Sequence, residues 1–238
     1  MKAIIVAGGR GERLRPLTDT IPKPMVTVSG IPLLQHTIEL LKKHGITDII
    51  VALCYLPEVI ENYFEDGAKF GVHITYTYED PKSPLGTAGA ILPAHDLISD
   101  TFIVTYADII RDLDVADMIA FHKETHGIAT LNVYKHTGNN FKSSLEFDAQ
   151  RRLLAFTELA QSEELKDGYA WSNGSFYIFE PAIFDFIPKN LKSDFAKDIF
   201  PNLLANKRDV FVFPSTGYFI DIGTKETLAK ANIDNAAQ

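Results

Sequence analysis

Ala3-Ile4-Ile5-Val6-Ala7-Gly8-Gly9-Arg10-Gly11-Glu12-Arg13-Leu14-Arg15 is an apolar run of strand length that stops on a glycine cluster threaded with three arginines. The apolar part is too short for a signal-peptide core and is broken at once by Gly8 and Gly9, so it reads as a buried strand entering a loop. Glycines at a strand exit let main-chain N–H groups approach an anion with no Cβ in the way. The arginines, with Lys23 in Pro22-Lys23-Pro24-Met25, add positive charge. Two commoner phosphate loops fail here. A P-loop ends in Gly-Lys followed by Ser or Thr, and that triplet does not occur; a dinucleotide fingerprint starting at Gly9 needs its third glycine at Leu14. A flexible surface loop is the bland alternative, and it leaves the clustering of glycine, arginine and a proline-flanked lysine unexplained.

Downstream, strand-length apolar runs alternate with helical patterns: Pro32 to His44 helical, Ile49 to Leu53 strand, Pro57 to Phe64 helical, Ile74 to Tyr78 strand. Leu34, Ile38 and Leu41 recur at helical spacing, Lys42, Lys43 and His44 fill the last turn, and Gly45 supplies the stop. Thr87 to Ala94 reads as a short helix, Phe102 to Tyr106 as a buried strand, Val115 to Thr125 as a helix and Ile128 to Tyr134 as a strand. Ser143 to Phe147 and Leu153 to Thr157 flank an Asp148-Ala149-Gln150 turn and predict a hairpin. Ser175 to Phe179, Val210 to Phe213 and Phe219 to Ile222 are further strands, and Thr224 to Ala236 closes as a helix that Thr224 can cap. The expected fold is α/β: a Rossmann-like, three-layer α/β/α arrangement with a mixed, mostly parallel central sheet, residues 1–238 forming a single domain.

The 238 residues carry a formal net charge of -8, which argues against a general nucleic-acid binder, because phosphate backbones are held by clustered Lys and Arg. Any anionic ligand must meet a local basic patch. The lone Cys54 cannot form an internal disulfide and reads as a buried, inert thiol in a reducing compartment. No stretch approaches the roughly 20 apolar residues of a membrane helix. The expectation is a soluble, cytoplasmic protein with no membrane partner.

The run Gly8 to Thr18 with Pro22-Lys23-Pro24-Met25 resembles the signature of the sugar-1-phosphate nucleotidyltransferases, also called nucleotide-sugar pyrophosphorylases. The likeness extends in the family's motif order from Met1 to about Asn232. It implies that Gly8, Gly9 and Gly11, with Ala7 beside them, wrap the triphosphate, that Arg13 contacts the leaving pyrophosphate, and that Lys23 contacts the α-phosphate. Pro84-Leu85-Gly86-Thr87-Ala88-Gly89-Ala90 is similar to the family's second motif, where the Gly86-Thr87 backbone faces the nucleobase.

Asp108 follows an apolar strand, at a carboxyl end where open α/β sheets place their ligands. The family usually has Asn-Gly or a relative before this aspartate; Tyr106-Ala107 departs at Tyr106 and keeps a small residue at Ala107. Late in the chain, Asp221-Ile222-Gly223-Thr224 resembles the family's Asp-Ile-Gly-Thr element. An aspartate amid Phe219, Ile220 and Ile222 is costly to bury unpaired. The resemblance implies that Asp108 and Asp221 share one Mg2+, with catalysis resting on Arg13, Lys23, Asp108 and Asp221. Asp112 reads as a solvated loop residue and Asp114 as helix-start charge.

On the acceptor side, Leu153 to Ala160 aligns with the stretch where the family reads Glu-Lys-Pro: Glu158 matches, while Leu159 and Ala160 do not. The contact that the lysine makes with the sugar phosphate must then come from elsewhere, such as Lys142 or Lys166. Asn173-Gly174 looks like the family element that hydrogen-bonds sugar hydroxyls, with a plain turn as its rival. His122 and His126, one turn apart without a third ligand, read as surface residues. Phe184, Phe186, Phe195 and Phe200 read as core.

The reading is a nucleotide-binding half over about 1–115 and a sugar-phosphate-binding half over about 116–238. Within its length the chain has no room for the left-handed β-helix extension of longer members, so it resembles the short mannose- and heptose-1-phosphate guanylyltransferases. The expected partners are a nucleoside triphosphate and a sugar 1-phosphate, best GTP with mannose- or heptose-1-phosphate; a homodimer is an assembly the reading leaves open. Alternatives are uridylyl, cytidylyl or thymidylyl transfer to another sugar phosphate, a non-sugar acceptor such as phosphocholine, and a non-catalytic nucleotide-sugar-binding regulatory subunit.

Overall fold

Strand β1 (Ala3–Val6) is the strand from which the sheet grows in both directions. Its alternate side chains feed two cores: Ile4 packs with Phe102, Tyr177 and Phe179 on one face, while Ala3 and Ile5 pack with Leu34, Ile38, Val51 and Phe64 on the other. Burial on both faces is why the run is continuously apolar instead of alternating. The computed structural model describes residues 1–136, 143–158 and 169–236.

The remaining sheet strands are β2 (Asp48–Leu53), β3 (His73–Tyr78), β4 (Phe102–Tyr106), β5 (Ala129–His136), β6 (Ala170–Phe179) and β7 (Val210–Ser215). They lie in the order β7-β5-β6-β4-β1-β2-β3. β6 runs antiparallel to β4 and β5, and every other neighbouring pair is parallel. The sheet is therefore mixed and mostly parallel, and strands from both halves of the chain share it. After β3 the chain returns to the opposite side of β1, so strand order reverses there. A crevice opens beyond the carboxyl ends of the strands at such a switch point.

Helix α1 (Leu33–Lys43) buries Leu33, Leu34, Thr37, Ile38 and Leu41 and ends as the sequence implies, with Gly45 at φ 77°. Helix α2 (Pro57–Phe64) begins on a proline, whose missing N–H costs nothing in a first turn. Helix α3 (Gly86–Gly89) is a single turn followed by a 3-10 segment, Leu92–Leu97. The expected helix over Thr87 to Ala94 is thus cut short, and Pro93, which has no N–H to give an α-helical bond, sits where it fails. Helix α4 (Val115–Thr125) is capped by Asp114, whose carboxylate accepts from the Asp117 N–H at 3.0 Å. A cap of this kind contributes about 1 kcal/mol.

Helix α5 (Phe200–Ala205) continues a π-helical turn over Phe195–Ile199, and Phe195 and Phe200 are fully buried against Tyr177 and Phe179. Helix α6 (Lys225–Ala236) starts where Thr224 Oγ1 accepts from the Thr227 N–H at 3.3 Å. The hairpin forms as expected, Ser143–Phe147 pairing antiparallel with Leu153–Glu158.

His122 is not a surface residue. It is 2% exposed, with Nδ1 2.8 Å from Thr130 Oγ1 and Nε2 3.1 Å from Glu180 Oε1. Burial lowers its pKa despite the neighbouring Glu180, so its role is that of a satisfied core group. No helix among the described residues is long and apolar enough to cross a membrane.

Candidate functional site

An open cleft of about 250 Å³ lies beyond the carboxyl ends of β1 and β4. Ala7, Gly8, Gly9, Lys23, Gly86, Thr87 and Asp108, all singled out from sequence, line it. Gly11 stands behind them at φ 67°, and a Cβ there would come within 3.0 Å of both Thr18 and Lys23. Its carbonyl accepts from Thr18 Oγ1 at 2.7 Å, which fixes the loop that delivers Lys23. Across the cleft Gly86 adopts φ 81° and packs so closely on Ser193 that an added Cβ would fall 2.4 Å from a carbonyl oxygen. Only glycine fits that turn. The turn is tied further by Thr87 Oγ1, which donates to Asp194 Oδ2 at 2.7 Å.

The two aspartates converge through a small ribbon that the sequence does not announce. Ile109–Arg111 pairs antiparallel with Phe219–Asp221, setting Asp221 opposite Ile109, and the Ile222 N–H donates to the Asp108 carbonyl at 2.9 Å. Residues 113 positions apart in the chain are stapled side by side by main-chain bonds. The Lys23 ammonium stands 2.5 Å from Asp108 Oδ2 and 3.9 Å from Asp221 Oδ1. Lys23 is 9% exposed, so this pairing is screened far less than a surface bridge. Asp108 Oδ1 is buried with no hydrogen-bond partner among the described residues. Arg13 reaches the same place from the glycine loop: a Cβ on Gly223 would sit 2.9 Å from an Arg13 guanidinium nitrogen and 3.4 Å from Asp221 Oδ1.

Among the described residues no group of three or more His, Cys, Asp or Glu is arranged to hold a metal. Two carboxylates with one unpartnered buried oxygen suit a hard cation that keeps waters or phosphate oxygens as its other ligands.

Cys54, Glu79 and Tyr106 are among the lining residues that were not singled out as ligand-binding from sequence. Cys54 is 8% exposed, and burial, followed by the charge of Glu79, raises its thiol pKa, as an inert cysteine requires. Glu79 Oε1 accepts from the Leu85 N–H at 2.8 Å, and its Oε2 stands 3.5 Å from where a Cβ on Gly8 would be. Burial raises the Glu79 carboxyl pKa, and the Leu85 bond opposes the shift. Only its position, after a strand and opposite the glycine loop, could have flagged it.

The residues expected on the acceptor side are less gathered. Asn173 and Gly174 lie inside β6, at a register shift between Asn173 and Tyr177, so they form a β-bulge and not the turn that an Asn-Gly pair suggests. Asn173 spends its amide internally, Oδ1 accepting from the Ser175 N–H at 3.0 Å and Nδ2 donating to the Tyr177 hydroxyl at 2.7 Å. Glu158 ends the hairpin, outside the lining of the cleft, with Lys197 Nζ 3.2 Å from its Oε2. Lys142, Leu159, Ala160 and Lys166 lie outside the described residues.

Fold and site together define an open α/β protein with a glycine-lined cleft at its switch point and two acids held on one lysine. The nucleotidyl transferase family model matches residues 2–238, and the chain belongs to that family. It is 35% identical over 236 residues to the UTP--glucose-1-phosphate uridylyltransferase of Synechocystis, covering 94% of this chain and 60% of that protein. It is 31% identical over 234 residues to the mannose-1-phosphate guanylyltransferase of Mycobacterium tuberculosis, covering 98% and 64%. The chain thus spans about three fifths of the length of these curated relatives. HddC from Yersinia pseudotuberculosis, solved in complex with GMP-PN, superposes with a TM-score of 0.81 at 28% identity, covering 98% of this chain and 99% of that one.

Proposed function

We propose that this chain transfers a nucleoside monophosphate from a nucleoside triphosphate to a sugar 1-phosphate, releasing pyrophosphate, with GTP and mannose- or heptose-1-phosphate as the favoured pair. The observation that carries the reading is the Lys23 ammonium shared by Asp108 and Asp221 beside the glycine cleft. An acceptor phosphate oxygen attacks the α-phosphorus in line while pyrophosphate departs, so the protein's task is to bring anions together and hold charge. Lys23 and Arg13 are the cations placed for it. The acceptor needs no general base, because a phosphate monoester is already ionised near neutral pH.

Magnesium is the cofactor of this reading, held by Asp108 and Asp221; bound there it would neutralise charge on the α-phosphate and the departing group. The Gly86-Thr87 turn and Ala7 would flank the base. Glu79 favours guanine: a carboxylate is an acceptor only, and guanine offers two adjacent donors on its pairing edge, whereas uracil and thymine offer one donor between two acceptors. The guanylyltransferase among the relatives and the GMP-PN in the HddC structure agree with that choice. On the acceptor side, Lys197, whose ammonium stands 3.2 Å from Glu158 Oε2, is the cation that would take the place of the family lysine. Action within the cytoplasm, one domain with a donor and an acceptor half, and a homodimeric assembly belong to the same reading.

The test is pyrophosphate release with each nucleoside triphosphate against a panel of sugar 1-phosphates and phosphocholine. Release with GTP and mannose- or heptose-1-phosphate is expected. Silence with every pair, while nucleotide-sugar still binds, would replace the transferase with a regulatory binding subunit.

A further inference from the structure

Arg111 reaches from the ribbon that holds the acids to the bulge at Asn173–Ser175, and neither the signature motifs nor the cleft lining accounts for it. It lies on the ribbon opposite Phe219, and Asp221 is the next residue but one along the same face. Its guanidinium spans two carbonyls of the β6 bulge, Nη1 donating to Gly174 O at 2.5 Å and Nη2 to Ser175 O at 3.4 Å. The rings of Phe176 and Phe219 stand 5.4 and 5.7 Å from its central carbon. Tyr134 stacks on Phe219 at 3.9 Å between centroids, so the ribbon end is clasped between β5 and β6. Although the residue keeps some exposed surface, its charge is enclosed. Burial pulls the pKa down to about 10, with Asp108 and then Tyr177 and Asp221 opposing the fall, and the group stays protonated at neutral pH.

Burying an arginine is costly, and here two carbonyl acceptors and the nearby charges of Asp108 and Asp221 offset that cost. The fork joins the ribbon to the bulge in β6. The ribbon carries Asp108 and Asp221 side by side at one end and Arg111 at the other. The bulge carries Asn173 and Gly174 and is already pinned from within by the Asn173 amide and from β4 by Thr105 Oγ1, which donates to Ser175 O at 3.3 Å. A lysine offers a compact ammonium without the planar fork, so it cannot span both carbonyls while lying flat between two rings.

We propose that Arg111 is a positioning residue that locks the ribbon bearing Asp108 and Asp221 to the bulge at Asn173–Ser175, so that the charge-bearing and acceptor-facing parts of the site keep one fixed separation. The kinetic part of this proposal rests on the transferase reading; the mechanical part does not.

The test pairs hydrogen exchange with kinetics for Arg111→Met and Arg111→Lys. Exchange should rise together in segments 170–177 and 217–223 of either variant, with the rest of the sheet unchanged. Turnover should fall and the KM for sugar 1-phosphate should rise, each about 10- to 100-fold, while directly measured GTP affinity stays near wild type. A folded variant that loses only thermal stability, with both segments protected and KM unchanged, would overturn the proposal, as would loosening of one segment alone. If Arg111→Met does not fold, Arg111→Lys decides by the same exchange readout. A wild-type protein silent with every substrate pair would sink the transferase reading, and paired loosening would still establish the lock.

Discussion

Residues 6 to 24 deliver Val6, Ala7, Gly8, Gly9, Lys23 and Pro24 to one cleft from a single stretch of chain, whereas the rest of the site draws Asp108, Arg111, Asn173, Glu158, Lys197 and Asp221 from five separate segments. The first region is a backbone device: a strand exit, a left-handed glycine and a threonine bond shape it locally. The second exists only through tertiary register, since its acids meet because Ile109–Arg111 pairs with Phe219–Asp221. A region made the first way can be recognised from consecutive residues, and one made the second way can be rebuilt by moving one element without touching the first.

The largest effect should come from the residues that join the two regions. Asp108→Asn and Asp221→Asn are each expected to cut turnover by about 10²–10³-fold or more while circular dichroism stays native. Each swap keeps shape and removes charge from the Lys23 pairing. Should either variant keep wild-type turnover, that residue leaves the charge-holding set, and the two regions become independent.

This contrast also sets how much could be read in advance. β1, the strand Phe102–Tyr106 and helices α2 and α4 follow from apolar period and punctuation, because each is decided by neighbours within a turn or two. The Gly8–Lys23 loop was legible for the same reason. The ribbon was not: Ile109–Arg111 is three residues long, and its partner lies more than a hundred positions away. Asn173-Gly174 carries a turn composition, yet β6 runs through it as a bulge, because Asn173 supplies the turn's bonds with its own amide. Glu79 and Arg111 stand outside any pattern and gain meaning only from what faces them.

A sharper probe of the donor side is Glu79→Gln, which exchanges an acceptor-only group for one with both donor and acceptor. The kcat/KM ratio for GTP over UTP should fall by about 10- to 100-fold, mostly through lost GTP use. The sign with pH follows from the raised carboxyl pKa. Guanine needs the charged form, so GTP affinity should weaken on acidification at a higher pH than an ordinary glutamate would give, and Glu79→Gln should lack that loss. An unchanged base ratio would move base selection to the Gly86-Thr87 turn.

The smallest effect belongs to Lys197. Its ammonium and the Glu158 carboxylate are both well exposed, 64% and 40% at the side chains, so water and salt screen whatever they bind. Lys197→Ala should raise the KM for sugar 1-phosphate by roughly 2- to 10-fold and leave the KM for GTP alone. Lys197→Arg should restore most of the loss, since position and charge are kept. The defect should also shrink as ionic strength rises, because screening weakens the wild-type contact and not the variant, which has none. A defect that persisted undiminished in high salt would mean that Lys197 acts by holding Glu158 in place, and the cation that meets the acceptor phosphate would have to be sought beyond the hairpin.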